Sequence, residues 1–181
     1  GGFEYMGGII QDEKAKGILS IKIDAIRPLE TYQQGVKALE AGDKALAETL
    51  FLKVLEYNPE FSSAMARLYK IYLDNKDYEK EIIFLKRYLD IQADDYTAMN
   101  TLGWAYMQAK QYDEGLNQFI RVTKAQPNEP KAFVTVADIY CYPYFNDKVK
   151  AKEYYEKALS LNPPQELKNK IQEKLNSISS S

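Results

Sequence analysis

Histidine is absent from this 181-residue chain, which removes the commonest general base and the commonest metal ligand. Ser–His and Cys–His catalytic pairs are therefore impossible. A single cysteine, Cys141, excludes an internal disulfide framework and any cysteine-rich metal site, and no cation adjacent in sequence lowers its pKa. Apolar runs such as Ile82-Ile83-Phe84-Leu85 are far too short to span a bilayer, so we expect no transmembrane segment. The net charge of -2, with both signs interspersed, offers no basic stripe for nucleic acid and no acidic tail. Gly7-Gly8 is followed by no phosphate-binding pattern, and Asp94-Asp95 reads as a solvated capping pair at a turn. The start, Gly1-Gly2-Phe3-Glu4-Tyr5, has neither an initiator Met nor a charged-then-apolar leader, and reads as processed or truncated. A removed signal peptide leaves both the cytoplasm and the periplasm open to a soluble chain of this kind. Together these absences predict a non-enzyme, with no catalytic residues, metal, cofactor or small-molecule substrate.

What the chain does have is a ruler. Tyr72, Tyr106 and Tyr140 recur at steps of 34 residues, as do Leu68, Leu102 and Val136, and Tyr78 and Tyr112. Pro59, Ala93 and Pro127 keep the same step, and Pro163 follows 36 later. A period of this length holding two helical patterns is the mark of stacked helix–turn–helix units. No unit of such an array buries its apolar face alone, so the core forms between neighbours. Four units fit the chain, at residues 28–61, 62–95, 96–129 and 130–163. Small residues at Gly35, Gly103 and Ala137 let paired helices approach, and Phe51, Leu85, Phe119 and Tyr155 fill the space between them. Pro59, Pro127 and Pro163 end second helices, because proline cannot continue the hydrogen-bond ladder. Residues 164–181 carry Leu167, Ile171, Leu175 and Ile178 at helical spacing and read as a capping helix, with Ser177 to Ser181 frayed.

These residues resemble the tetratricopeptide repeat family, whose pattern is W-x2-L-G-x2-Y, then A-x3-F, then P, in 34 residues. The third unit matches best, with Leu102-Gly103, Tyr106, Gly115 in place of Ala, Phe119 and Pro127. The first keeps Gly35, Ala47, Phe51 and Pro59 but has Ala38 in place of Tyr. The second puts Glu81 where a small residue is usual and Ala93 where Pro is usual. The resemblance implies an all-α, right-handed superhelical solenoid of four repeats closed by the C-terminal helix. It also implies that the first helices line a concave groove through their second, fifth, ninth and twelfth positions. Carried over, that stripe is Leu29, Tyr32, Val36 and Leu39; Ser63, Ala66, Lys70 and Leu73; Thr97, Asn100, Trp104 and Met107; Lys131, Val134, Asp138 and Cys141. Some members hold acidic chaperone tails through a clamp of Lys, Asn and Arg. Tyr32, Val36, Arg67, Thr97 and Thr101 stand at the matching positions, so such a tail is not the expected ligand.

Function is sought where the ruler is broken or decorated. Trp104 lies on the groove stripe and is not the family's structural Trp, whose place Met99 takes. It reads either as a hot-spot anchor or as a buried residue packed under the leader or against the helix of Asp138. Two extra residues fall in the aromatic turn from Tyr140 to Asp147. That turn is either a lengthened loop packed on the capping helix or a sticky rim carrying Tyr142, Tyr144 or Phe145. Residues 1–27 fit no repeat. Period-two spacing of Leu19, Ile21 and Ile23 suggests an extended arm, and Ile18, Ile21, Ala25 and Ile26 suggest a helical cap. The leading expectation is a protein-interaction module that binds an extended peptide or a partner helix. Its groove residues would be Tyr32, Val36, Lys70, Asn100, Trp104, Met107, Lys131, Asp138 and Tyr142. The alternatives are a homo-oligomeric scaffold assembled through the leader, and a chaperone for exported or envelope proteins.

Overall fold

The computed structural model describes residues 27–179. The described residues are helical throughout apart from turns: residues 27–40 form α1, followed by α2 (Lys44–Tyr57), α3 (Ser62–Asn75), α4 (Tyr78–Ile91) and α5 (Tyr96–Gln108). Then come α6 (Tyr112–Ala125), α7 (Pro130–Tyr140), α8 (Lys148–Ser160) and α9 (Gln165–Ser179). The expected all-α class therefore holds, with no strand among the described residues. The leader, expected as cap or arm, lies outside them. Of the tail expected to fray, Ser177 to Ser179 continue α9, where the Ser179 hydroxyl donates to the Leu175 carbonyl at 2.9 Å.

The period is written into the backbone as well as the side chains. The turn before each even-numbered helix holds one residue in the left-handed region: Gly42 (φ 81°), Lys76 (φ 57°), Lys110 (φ 61°) and Asn146 (φ 45°). The residue after each is an N-cap: Asp43, Asp77, Gln111 and Asp147. The three aspartates accept from the backbone N–H three residues on, which satisfies a donor that the helix itself cannot pair. The two extra residues of the aromatic turn are absorbed without disturbing this device. Asp43 N–H donates to the Ala38 carbonyl and Gln111 N–H to the Tyr106 carbonyl, and Asp147 N–H donates to the Tyr140 carbonyl at 2.9 Å. The same hydrogen bond simply closes a longer loop.

The chain divides into two compact units between Lys76 and Asp77, inside the second 34-residue span rather than at one of its borders. In the first unit, Gly35 sits against Phe51. A Cβ on that glycine would lie 2.6 Å from Phe51 Cε1, so only glycine permits this approach of α1 to α2. Ala47, Phe51 and Val54 of α2 are fully buried, α2 packs on α3, and Ala64, Leu68 and Ile71 of α3 are buried. The equivalent positions of α1 are Glu30, Gln34 and Lys37, and all three are exposed. The first helix thus presents a polar side where α3, α5 and α7 bury apolar residues.

In the second unit, α4 to α9 pack each on the next. Gly103 repeats the close approach, with a Cβ placed only 2.7 Å from Phe119 Cζ. Leu85, Phe119 and Tyr155 are at most 1% exposed, as their role between helices requires. α9 closes this core. Its Ile171 is fully buried, and Leu167, Leu175 and Ile178 are half-buried against the same cluster. Glu81, standing in α4 where α2, α6 and α8 have Ala47, Gly115 and Ala151, is only 1% exposed and neither carboxylate oxygen has a hydrogen-bond partner. Burial pushes its pKa up to about 7.

Candidate binding surface

The groove stripe inferred from the repeat pattern is a real side of these helices. Of its sixteen positions all but Met107 are exposed or half-buried, although they are flanked on each helix by fully buried residues. In the first unit the stripe is mostly apolar: Leu29, Tyr32, Val36 and Leu39 on α1, with Ala66 and Leu73 on α3. Tyr32 is tied down rather than presented. Its ring lies 5.4 Å from Phe51 and 5.3 Å from Phe61, and its hydroxyl accepts from Arg67 Nε at 3.2 Å. Val36 is half-buried and Lys70 is exposed, its ammonium 5.9 Å from the Tyr69 ring centre.

The second unit carries the more differentiated surface. Trp104, the chain's single tryptophan, is 41% exposed and meets Phe119 edge-on at 5.0 Å. It is therefore not buried against the helix of Asp138, and the expected burial under the leader falls on residues outside the described ones. Because Phe119 is itself locked against Gly103, the indole is held by the core on one side and open on the other. Met107 departs from expectation. It is 6% exposed, and a Cβ at Gly115 would sit 2.9 Å from its Sδ. Glycine in place of the usual alanine at 115 makes the room that draws Met107 off the surface and into the α5–α6 contact.

Two hollows flank α7. One, of about 390 Å³, is lined by Tyr96, Thr97, Asn100, Lys131 and Thr135 among others. Asn100 is oriented there by its amide, which donates to the Tyr96 carbonyl at 2.9 Å, and Lys131 stands exposed at the rim. The other, of about 440 Å³, lies at the far end of α7 between it, the aromatic turn and α9. Asp138, Cys141, Tyr142, Tyr155, Lys174 and Ile178 face it. Asp138 Oδ1 accepts from both the Tyr155 hydroxyl and the Lys174 ammonium, the latter at 2.5 Å. That carboxylate, together with burial as the larger cause, pushes the Tyr155 phenol up. Burial also pushes the Cys141 thiol up, and the opposing hydrogen bond with Tyr155 and the charges of Lys174 and Lys148 do not reverse it. Cys141 is thus a wall of the hollow and not an activated thiolate.

The aromatic turn is partly packed and partly exposed. Phe145 is half-buried and meets Tyr140 at 6.0 Å, while Tyr144 lies 4.7 Å from Tyr112 and donates to Asp113 at 2.9 Å yet keeps 56% of its surface exposed. Tyr142 is 41% exposed as well and, unlike Tyr144, lines the larger hollow. The structure brings Asp138 and Tyr142 together, and Asn100 and Lys131 together, and it adds Lys174 and Tyr155. The first lies in the stretch expected as a capping helix, and the second had been expected as core filler. Only the step of 36 residues from Asp138 to Lys174 hinted at a shared register. Among the described residues no group of three acidic or cysteine side chains is arranged to hold a metal ion, and no helix is long and apolar enough to cross a membrane.

Two family models, both described as tetratricopeptide repeat, match the chain, one over residues 32–96 and the other over 96–129 and 144–165. The matched spans step over 130–143, which is α7 and the start of the aromatic turn. An uncharacterized protein, ycf37 of Guillardia theta, is 36% identical over 95 residues, 49% of this chain and 52% of that protein. The chain thus spans about half the length of this curated relative. Among solved structures, MamA 41-end from Desulfovibrio magneticus RS-1 is 26% identical with a TM-score of 0.60, covering 75% of each chain. A MamA RS-1 ArsTM double mutant is 25% identical with a TM-score of 0.62, over 83% of this chain and 84% of that one. YrrB, described as a TPR protein with an unusual peptide-binding site, shares the fold at 20% identity, with a TM-score of 0.63 over 94% and 88% of the two chains.

Proposed function

The chain belongs to the tetratricopeptide repeat family, and from that premise we propose that it is a protein-interaction module whose 77–181 unit binds an extended peptide along the accessible side of α5 and α7. The observation that carries this reading is Trp104. A tryptophan fixed edge-on against a locked core ring loses little side-chain entropy on binding, yet it still has two-fifths of its surface to bury. That combination describes an interface anchor. Asn100, one turn away, supplies a carbonyl and Lys131 an ammonium for the peptide backbone or polar side chains. The eleven residues of α7 rise about 16 Å, a distance that roughly five residues of extended peptide span. One short segment can therefore touch both hollows.

The test uses random dodecapeptides selected on the full chain. Trp104 is the only indole, so its emission should shift when a selected peptide binds. Trp104→Ala should weaken binding, measured by calorimetry, by about 2 kcal/mol, or roughly thirtyfold, while the far-ultraviolet circular dichroism stays unchanged. Selected peptides that bind the Ala variant as tightly as the parent would overturn the assignment.

A further inference from the structure

Building on this peptide-binding reading, we propose that the larger hollow receives a basic side chain, lysine or arginine, from the partner, and that Lys174 of the chain's own last helix holds that place when no partner is bound. Asp138 forms the floor. Its Oδ1 is occupied by Tyr155 and Lys174, while Oδ2 takes no hydrogen bond among the described residues. Tyr155, 1% exposed, cannot swing away, so the carboxylate is aimed. Lys174 Nζ also stands 5.9 Å from the Tyr155 ring centre, which puts a cation between a carboxylate and an aromatic face. The exposed Tyr142 ring gives a second aromatic wall. Pro143 and Ile178 give apolar surface for an aliphatic stem.

The resident cation is displaceable. The side chains of Lys174 and Asp138 are 43% and 37% exposed, and an ion pair so open to water is weak. A guanidinium could engage both oxygens of Asp138 at once, which a single ammonium on Oδ1 does not. Other side-chain classes fit less well. An incoming carboxylate would face Asp138 across the hollow. A purely apolar chain would gain only Tyr142, Pro143 and Ile178 and leave the carboxylate to Lys174.

N-acetyl-arginine amide, N-acetyl-norleucine amide and N-acetyl-glutamate amide, each titrated at millimolar concentration into the ¹⁵N-labelled full chain, read this hollow without any peptide. The arginine probe should move the amides of Asp138, Tyr142 and Ser177 saturably, and the other two should not. Asp138→Asn should weaken the arginine probe about tenfold. Lys174→Gln, which removes the competitor from an exposed position, should tighten it about threefold or more. Equal shifts with the norleucine or glutamate probe, or weaker arginine binding in Lys174→Gln, would overturn the proposal. Because the probes never contact Trp104, loss of peptide binding in the selection and loss of probe binding here can be told apart.

Discussion

Replacing Glu81 by Gln should make the protein more stable in alkali and leave it nearly unchanged in acid. Glu81 lies in the first turn of α4, where the helix N-terminus favours a carboxylate by roughly 0.5 kcal/mol. Burial opposes this and wins, since the pKa rises from 4.5 to about 7. The folded chain therefore holds a proton that the unfolded chain releases between those two values. Stability is fully present below pH 4.5, falls as pH climbs through about 7, and levels off above it. At about 1.4 kcal/mol per pKa unit the whole loss is about 3 kcal/mol. Glutamine keeps the size and cannot ionise, so Glu81→Gln should match the parent near pH 4.5 and exceed it by up to about 3 kcal/mol at pH 8.5. Urea unfolding of both proteins across that range reads the difference. With a urea slope of about 1–3 kcal/mol per molar, the midpoints should separate by about 1 M or more at the alkaline end. Other carboxylates titrate in both proteins and cancel in the difference. Midpoints that keep a constant separation across the range, or that favour the parent at high pH, would refute a buried, unpartnered carboxylate.

Two further outcomes test the packing and the chain's polar end. Gly103→Ala would push a methyl group against the rigid face of Phe119, destabilising by about 2 kcal/mol. It should also redshift the emission of Trp104 as its supporting ring moves; calorimetric melting and fluorescence of the same sample check both effects. Removing residues 1–26 should leave the unfolding free energy, read by urea denaturation, within about 0.5 kcal/mol of the parent, because Glu30, Gln34 and Lys37 already give α1 a polar outer side. A larger loss would mean that the first helix pair depends on that segment, and light scattering on both forms would show whether the segment also sets the oligomeric state.

How much of this was legible follows from which interactions have a period. The helix pairs recur because every unit solves the same local problem, and the left-handed turn residues and their aspartate caps, found only in the structure, follow the same ruler. The same holds for Gly35 with Phe51 and Gly103 with Phe119, where a missing side chain and a large one answer each other at a fixed offset. Met107 was misplaced because its position on the stripe is correct and its burial depends on something off the stripe, the glycine at 115 on another helix. Period alone cannot weigh such a pair, although the departure from the family's alanine at 115 was already visible and, joined to the flexible methionine opposite, contained the answer.

The larger hollow shows the limit more sharply. Asp138 belonged to the stripe, and Lys174 belonged to a helix read only as a lid. A charge on the polar face of a capping helix is ordinarily solvated, and no spacing rule separates that case from one in which the ammonium reaches back to a carboxylate. What distinguishes them is what stands across from the carboxylate. At α7 the next first helix is α9, whose groove side carries Lys174, Ser177 and Ile178, and the lengthened turn brings Tyr142 across from them. The hollow thus exists only because two departures coincide, a turn that is two residues too long and a cap that keeps the register of a repeat. Each departure alone is structural, but together they set a carboxylate, an exposed ion-paired cation and an open aromatic ring at one end of the proposed peptide path, with Trp104 on the neighbouring first helix. A partner chosen by this surface should carry an aromatic or aliphatic residue for the indole and a basic residue for Asp138.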